Sequence, residues 1–224
     1  MVKRFFSVIG KEIKGLHEAA YLLAGFALMS QLLALVRDKL LAYTFGAGHS
    51  LDVYYAAFRI PDLIFVSIGS LVSASILLPF FVERFQKGKE DGKNFSNSIF
   101  TVFFALMVIT SAVMYFLVPK LIPFLLPGFA NDPALPDLIL SSRIMLFSPF
   151  LLGLSNLFSS VTQMHRRFLV YAASPLFYNL SIIVGVVALY PMFGISGLAI
   201  GVAIGAFLHM AIQIPFMLQT RLLP

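Results

Sequence analysis

The chain has 224 residues, 59% of them hydrophobic and 12% charged, with a net charge of +6 and a mean hydropathy of +0.92. Soluble domains carry roughly 25% charged residues, so this composition excludes a water-soluble globule, and the long apolar runs favour helices over a barrel. The absence of Cys removes disulfides, thiol nucleophiles and Cys-ligated metals.

The reading is an all-α, polytopic membrane helix bundle of about six transmembrane helices. Residues 1–18 mix Lys3, Arg4, Lys11 and Lys14 with Phe5, Ile9 and Ile13 at helical spacing, which predicts an amphipathic interfacial segment. No short apolar core with a small-residue cleavage site follows it, so no signal peptide is expected. The six-helix lobe then occupies residues 19–224, with spans predicted at about 21–45, 51–85, 95–126, 138–163, 170–190 and 194–220. The second stretch is longer than the roughly 20 residues a bilayer needs and contains Pro61 and Pro79, which predicts kinks or tilt. Residues 83–94 form the most polar predicted loop. The last span carries Gly197, Gly201 and Gly205, a small-residue ridge for close helix contact.

Charge orders these spans. With the N-terminus in the cytoplasm, the inner connections receive Lys3, Arg4, Lys11, Lys14, Arg84, Lys87, Lys89, Lys93, Arg166, Arg167 and Arg221. The outer ones receive only Lys120, with Asp132 and Asp137. This asymmetry predicts a cytoplasmic location for both termini. It also accounts for the net positive charge without invoking nucleic acid.

A few ionisable residues fall where lipid does not tolerate them. Each intramembrane Arg or Asp costs roughly 2.5–3.5 kcal/mol on insertion scales, so such groups face a bundle interior or a cavity. Arg37 and Asp38 lie in the outer part of the first span. Arg59 and Asp62 lie in the outer part of the second, one helical turn apart and on one face. The short turn containing Gly46 and Gly48 makes the two spans neighbours, which predicts a polar pocket in the outer half of the bundle. Two readings stand side by side: mutual neutralisation as ion pairs, or an Arg that receives an anion with its planar fork. Arg143, near the outer end of the fourth span, reads as reaching for the interface. There is no Walker loop, HExxH or nucleophile elbow, and the four His are scattered, so neither an enzyme nor a metal site is expected.

The series Leu35-Val36-Arg37-Asp38, Phe45-Gly46-Ala47-Gly48, Asp52 and Ala57-Phe58-Arg59-Ile60-Pro61-Asp62 resembles the opening of the MurJ/MviN family of lipid II flippases, in the multidrug/oligosaccharidyl-lipid/polysaccharide exporter superfamily. Pro79, Pro127-Gly128-Phe129-Ala130, Arg167-Phe168, Pro175 and Asn179 fit later family positions. The resemblance implies one lobe of a two-lobed transporter in the bacterial cytoplasmic (inner) membrane. That transporter flips lipid-linked peptidoglycan precursor around a cationic cavity by alternating access. It implies substrate binding by Arg37 and Asp38, to which the pocket reading adds Arg59 and Asp62, and an outer gate at Asp52 beside Gly46 and Gly48. Polyprenyl-pyrophosphate-linked glycan, membrane lipids and a second lobe or second copy are the expected partners. No cofactor is expected, and membrane potential or an ion gradient would supply the drive. Positions where the family carries further cavity charges read Gln31, Phe65 and Val66 here. An exporter of another polyprenyl-linked glycan or a drug, and a non-transporting scaffold, remain open alternatives at this point.

Overall fold

A computed structural model describes residues 15–220. Every regular element among them is helical. Of the predicted interfacial segment, residues 1–14 lie outside the described residues, and Leu16 already belongs to the first helix. Among the described residues, five stretches are long and apolar enough to cross a membrane: 17–45, 89–125, 135–164, 168–193 and 195–219.

Helix α1 (Leu16–Phe45) is largely apolar and largely exposed, its charges falling at Glu18 and at Arg37, Asp38 and Lys39. It ends because Gly46 adopts φ 59° and ψ −152°, a conformation closed to residues with a side chain. Gly48 is required for a different reason: a Cβ there would stand 2.7 Å from the Phe45 carbonyl oxygen.

The predicted second span, 51–85, is not one helix. It is α2 (His49–Ala57), α3 (Arg59–Ser67), a 3₁₀ turn (Gly69–Val72) and α4 (Ala74–Lys87). Pro61 sits in the first turn of α3, where a missing N–H is harmless, so α3 starts anew at Arg59. The pieces still advance along the bundle together. The Ser142 hydroxyl donates to the Ala57 carbonyl (3.2 Å), and the Asn156 amide donates to the Gly69 carbonyl (3.5 Å). The partners therefore rise in step, and the broken chain runs along the bundle parallel to the 135–164 span, although it is not among the five stretches long and apolar enough to cross a membrane.

The expected polar loop at 83–94 is also helical on both sides of Gly88. Lys87 pairs with Glu83 at 2.7 Å across one turn, and Arg84 reaches Asp91 at 3.5 Å. Glu90 and Asp91 favour the N-terminus of α5 (Lys89–Leu125), which carries Pro119 and Pro123 near its other end. The fourth span is broken into α6 (Leu135–Met145) and α7 (Phe147–Met164). Pro149 cannot donate to the Met145 carbonyl, which ends the continuous ladder there.

Helix α8 (Phe168–Val184) continues through a π turn (Gly185–Leu189) into α9 (Tyr190–Phe193). A second glycine hairpin at Gly194 (φ 60°) leads to α10 (Ile195–Ala211), and α11 (Ile214–Thr220) follows. Helix α10 is the hub, packed on α6, α7 and α8. Its glycine ridge does what its spacing predicts. A Cβ on Gly201 would sit 2.8 Å from the Gly185 Cα, and one on Gly197 would sit 2.3 Å from the Leu189 oxygen. A buried polar ladder joins α7 to the end of α10: the Gln213 amide donates to the Ser155 hydroxyl (2.6 Å) and accepts from Ser159 (3.2 Å).

Candidate functional site

The charges of the first hairpin converge on one cavity. Helix α1 lies along α8, presenting Ser30, Arg37 and Leu41 from one stripe. The Arg37 Nη1 donates to the Asn179 side-chain oxygen at 2.7 Å. The Asn179 amide in turn donates to the Ser30 hydroxyl (3.3 Å) and the Pro175 carbonyl (3.1 Å). Asn179 thus clasps α1 to α8, its amide oxygen accepting from a guanidinium while its NH2 donates to a hydroxyl.

Arg37 also turns back on its neighbour. Its Nε and Nη2 reach the same Asp38 oxygen at 2.8 and 2.7 Å. Three of its three nitrogens are therefore engaged, yet a guanidinium has five N–H groups. Two remain, and the side chain keeps 23% of its surface open.

The opening is a cavity of about 600 Å³ lined by Arg37, Asp38, Tyr54, Arg59, Asp62 and Tyr178, with apolar Leu41, Phe58 and Ile182 between them. Helices α2 and α3 supply the wall facing α1 and α8. Arg59 and Asp62 form no ion pair within 4.0 Å, and Arg59 has no hydrogen-bond partner among the described residues. Mutual neutralisation therefore holds for Arg37 and Asp38 only. With two cations and two carboxylates, this wall is formally balanced rather than cationic.

The remaining candidates lie apart. Asp52 is exposed on the first turn of α2 and does not line the cavity. Gly46 and Gly48 shape the turn beside it, and Phe45 packs edge-on against Tyr190 at 4.6 Å, drawing the two glycine hairpins together. Beyond the turn, His49 Nε2 contacts the Asp132 carboxylate at 3.0 Å and stacks on Phe129. The backbone N–H of Ala134 and then His49 hold Asp132 below the usual carboxylate range.

Tyr54, Tyr178 and Asn179 are cavity or clasp residues that the charge pattern alone does not single out. The two tyrosines resemble ordinary core aromatics in a chain with 24 Phe. Asn179 does carry a signal, since an amide in the middle of an apolar helix needs a partner.

Comparison with known proteins identifies the family. The family model described as lipid II flippase MurJ matches residues 41–224. The probable lipid II flippase MurJ of Buchnera aphidicola subsp. Acyrthosiphon pisum is 32% identical over 202 residues, which are 88% of this chain and 39% of that protein. The lipid II flippase MurJ of Burkholderia cenocepacia is 26% identical over 213 residues, covering 93% and 41%. A solved structure titled lipid II flippase MurJ, inward closed conformation, superposes with a TM-score of 0.74 at 25% identity, covering 89% of this chain and 42% of that one. The chain spans about two-fifths of the length of these relatives. The matched family model covers most of the chain and the fold superposes on that of a relative, so the chain belongs to the lipid II flippase MurJ family.

Proposed function

We propose that this chain forms one lobe of a transporter that moves lipid II across the bacterial cytoplasmic membrane for cell-wall synthesis. The observation that carries the reading is Arg37, held by Asn179 and Asp38, with two N–H groups unengaged among the described residues and its side chain lining a 600 Å³ cavity. A pyrophosphate is the ligand such a fork suits, because parallel charge-assisted hydrogen bonds recover what its desolvation costs. Asp38 orients the guanidinium. Arg59, without an ion pair or hydrogen bond among the described residues, offers the second cation, and Asp62 limits net charge so that release stays possible. A second lobe, or a second copy of the chain, closes the cavity. The work is transport rather than bond chemistry, driven by the membrane potential or an ion gradient.

Fluorescent lipid II in vesicles holding the full chain, with any second lobe co-expressed, tests this. Arg37→Ala is expected to slow flipping at least about tenfold, the scale of losing one charge-assisted contact. Arg37→Lys is expected to restore little, because a point charge lacks the fork. Unchanged flipping by Arg37→Ala rejects the assignment.

In the proposed orientation, the Gly46 and Gly194 turns face outward. The natural absence of Cys allows single cysteines to be scored cleanly. A cysteine replacing Asp132 is expected to react with an impermeant maleimide from outside the cell, and one replacing Lys89 only after lysis. The reverse pattern inverts the topology.

A further inference from the structure

The second cavity lies on the other side of the bundle and belongs to a different ligand. It is an apolar groove of about 410 Å³ between α5 and the α6–α7 break, with Arg143 at one end. On α5, Ser111, Ala112 and Tyr115 share a face at helical spacing, and the small pair opens the groove. On the opposite side, Leu146 stands at the interruption caused by Pro149 and Phe150 follows it one turn on.

Arg143 is there for a reason that begins with Pro119. Proline has no N–H, so the carbonyl four residues earlier, on Tyr115, loses its helical donor. The Arg143 Nε donates to that carbonyl at 3.0 Å, and its guanidinium lies 4.5 Å from the Tyr115 ring centroid. The two Nη groups have no partner among the described residues. One turn deeper, the Ser111 hydroxyl oxygen is buried and also lacks a hydrogen-bond partner.

Depth indicates what these donors meet. Counting the roughly 20 residues of a hydrocarbon crossing back from Met164, which precedes His165-Arg166-Arg167, ends at Met145. Arg143 therefore lies about one half-turn beyond the hydrocarbon boundary, from where its long side chain reaches the headgroup region. Ser111, one turn deeper, lies near the boundary itself, and Phe150 lies on its hydrocarbon side. From the geometry we infer that this groove holds one anionic phospholipid of the surrounding bilayer, its phosphate on the Arg143 Nη groups, an ester carbonyl on Ser111, and an acyl chain along Leu146 and Phe150. The inference is independent of the flipping reading, since the groove shares no residue with the Arg37 cavity.

Native mass spectrometry of the full chain, equilibrated in detergent with phosphatidylglycerol or phosphatidylcholine, tests it. One phosphatidylglycerol is expected to stay bound under activation that strips phosphatidylcholine. Arg143→Gln is expected to lower that bound fraction about tenfold, the scale of lost charge-assisted hydrogen bonds. Ala112→Phe, which fills the groove and leaves Arg143 in place, is expected to do the same, so the inference stands or falls on it if Arg143→Gln does not fold. Arg84→Gln, at the far end of the bundle, controls for bulk charge and is expected to change nothing. Equal retention of the two lipids, or unchanged phosphatidylglycerol on the Ala112→Phe chain, overturns the assignment.

Discussion

Asn179 holds together what the intramembrane charges would otherwise pull apart. It accepts from Arg37 and donates to Ser30 in the same plane. Asn179→Leu keeps the volume but strands both partners, and is expected to cost about 1–2 kcal/mol, between the averages for intramembrane and charge-assisted hydrogen bonds. Thermal unfolding in detergent reads that loss, and an unchanged midpoint would show the clasp to be incidental. Asp132 makes a contrasting prediction outside the membrane. Its pKa is lowered by the Ala134 N–H and by His49, so its contribution is present at neutral pH and is lost as pH falls below the ordinary carboxylate value of 3.8. Asp132→Asn is expected to abolish that acid dependence in an unfolding titration between pH 5 and about pH 2. Arg37, Asp38, Arg59 and Asp62 were legible as a group because ions in a greasy chain are rare and need a cavity. Which of them pair was not legible, because that depends on α8, which contributes Asn179 from more than a hundred residues away.

At the scale of elements, glycines sort by what they touch. The Cβ of a Gly197→Ala chain would strike the Leu189 backbone at 2.3 Å, which moves only if α9 and α10 separate. That of Gly153→Ala would strike the far edge of the Phe103 ring at 2.2 Å, and a ring tip can swing aside. Gly197→Ala is therefore expected to destabilise by more than about 2 kcal/mol, and Gly153→Ala by less, in the same detergent assay. An equal loss would contradict the backbone argument. The glycine ridge was readable because small residues every fourth position have one common use. The breaks in the predicted second span were only half readable. Pro61 announces an interruption, but the 3₁₀ turn at Gly69–Val72 is set by α7, whose Asn156 meets the freed Gly69 carbonyl. The helices flanking Gly88 escaped the sequence reading because charge marks solvent exposure, not irregularity. Glu83 and Lys87 are a good surface-helix pair.

Across the whole molecule, burial is uneven. Only 6% of the most apolar window of α1 is buried, against 50% for the α6–α7 span. Helix α1 packs mainly along α8, whereas α10 is enclosed on several sides. Among the described residues, the helix that carries the cavity-lining Arg37 therefore has one main packing seam, while the helices around α10 are packed on several sides. Spin labels at Leu28 on α1 and Leu180 on α8 should give a broad distance distribution by pulsed electron resonance, whereas labels at Leu180 and Leu208 on α10 should give a narrow one. Equal widths would mean that α1 is held as firmly as α10 despite its single seam.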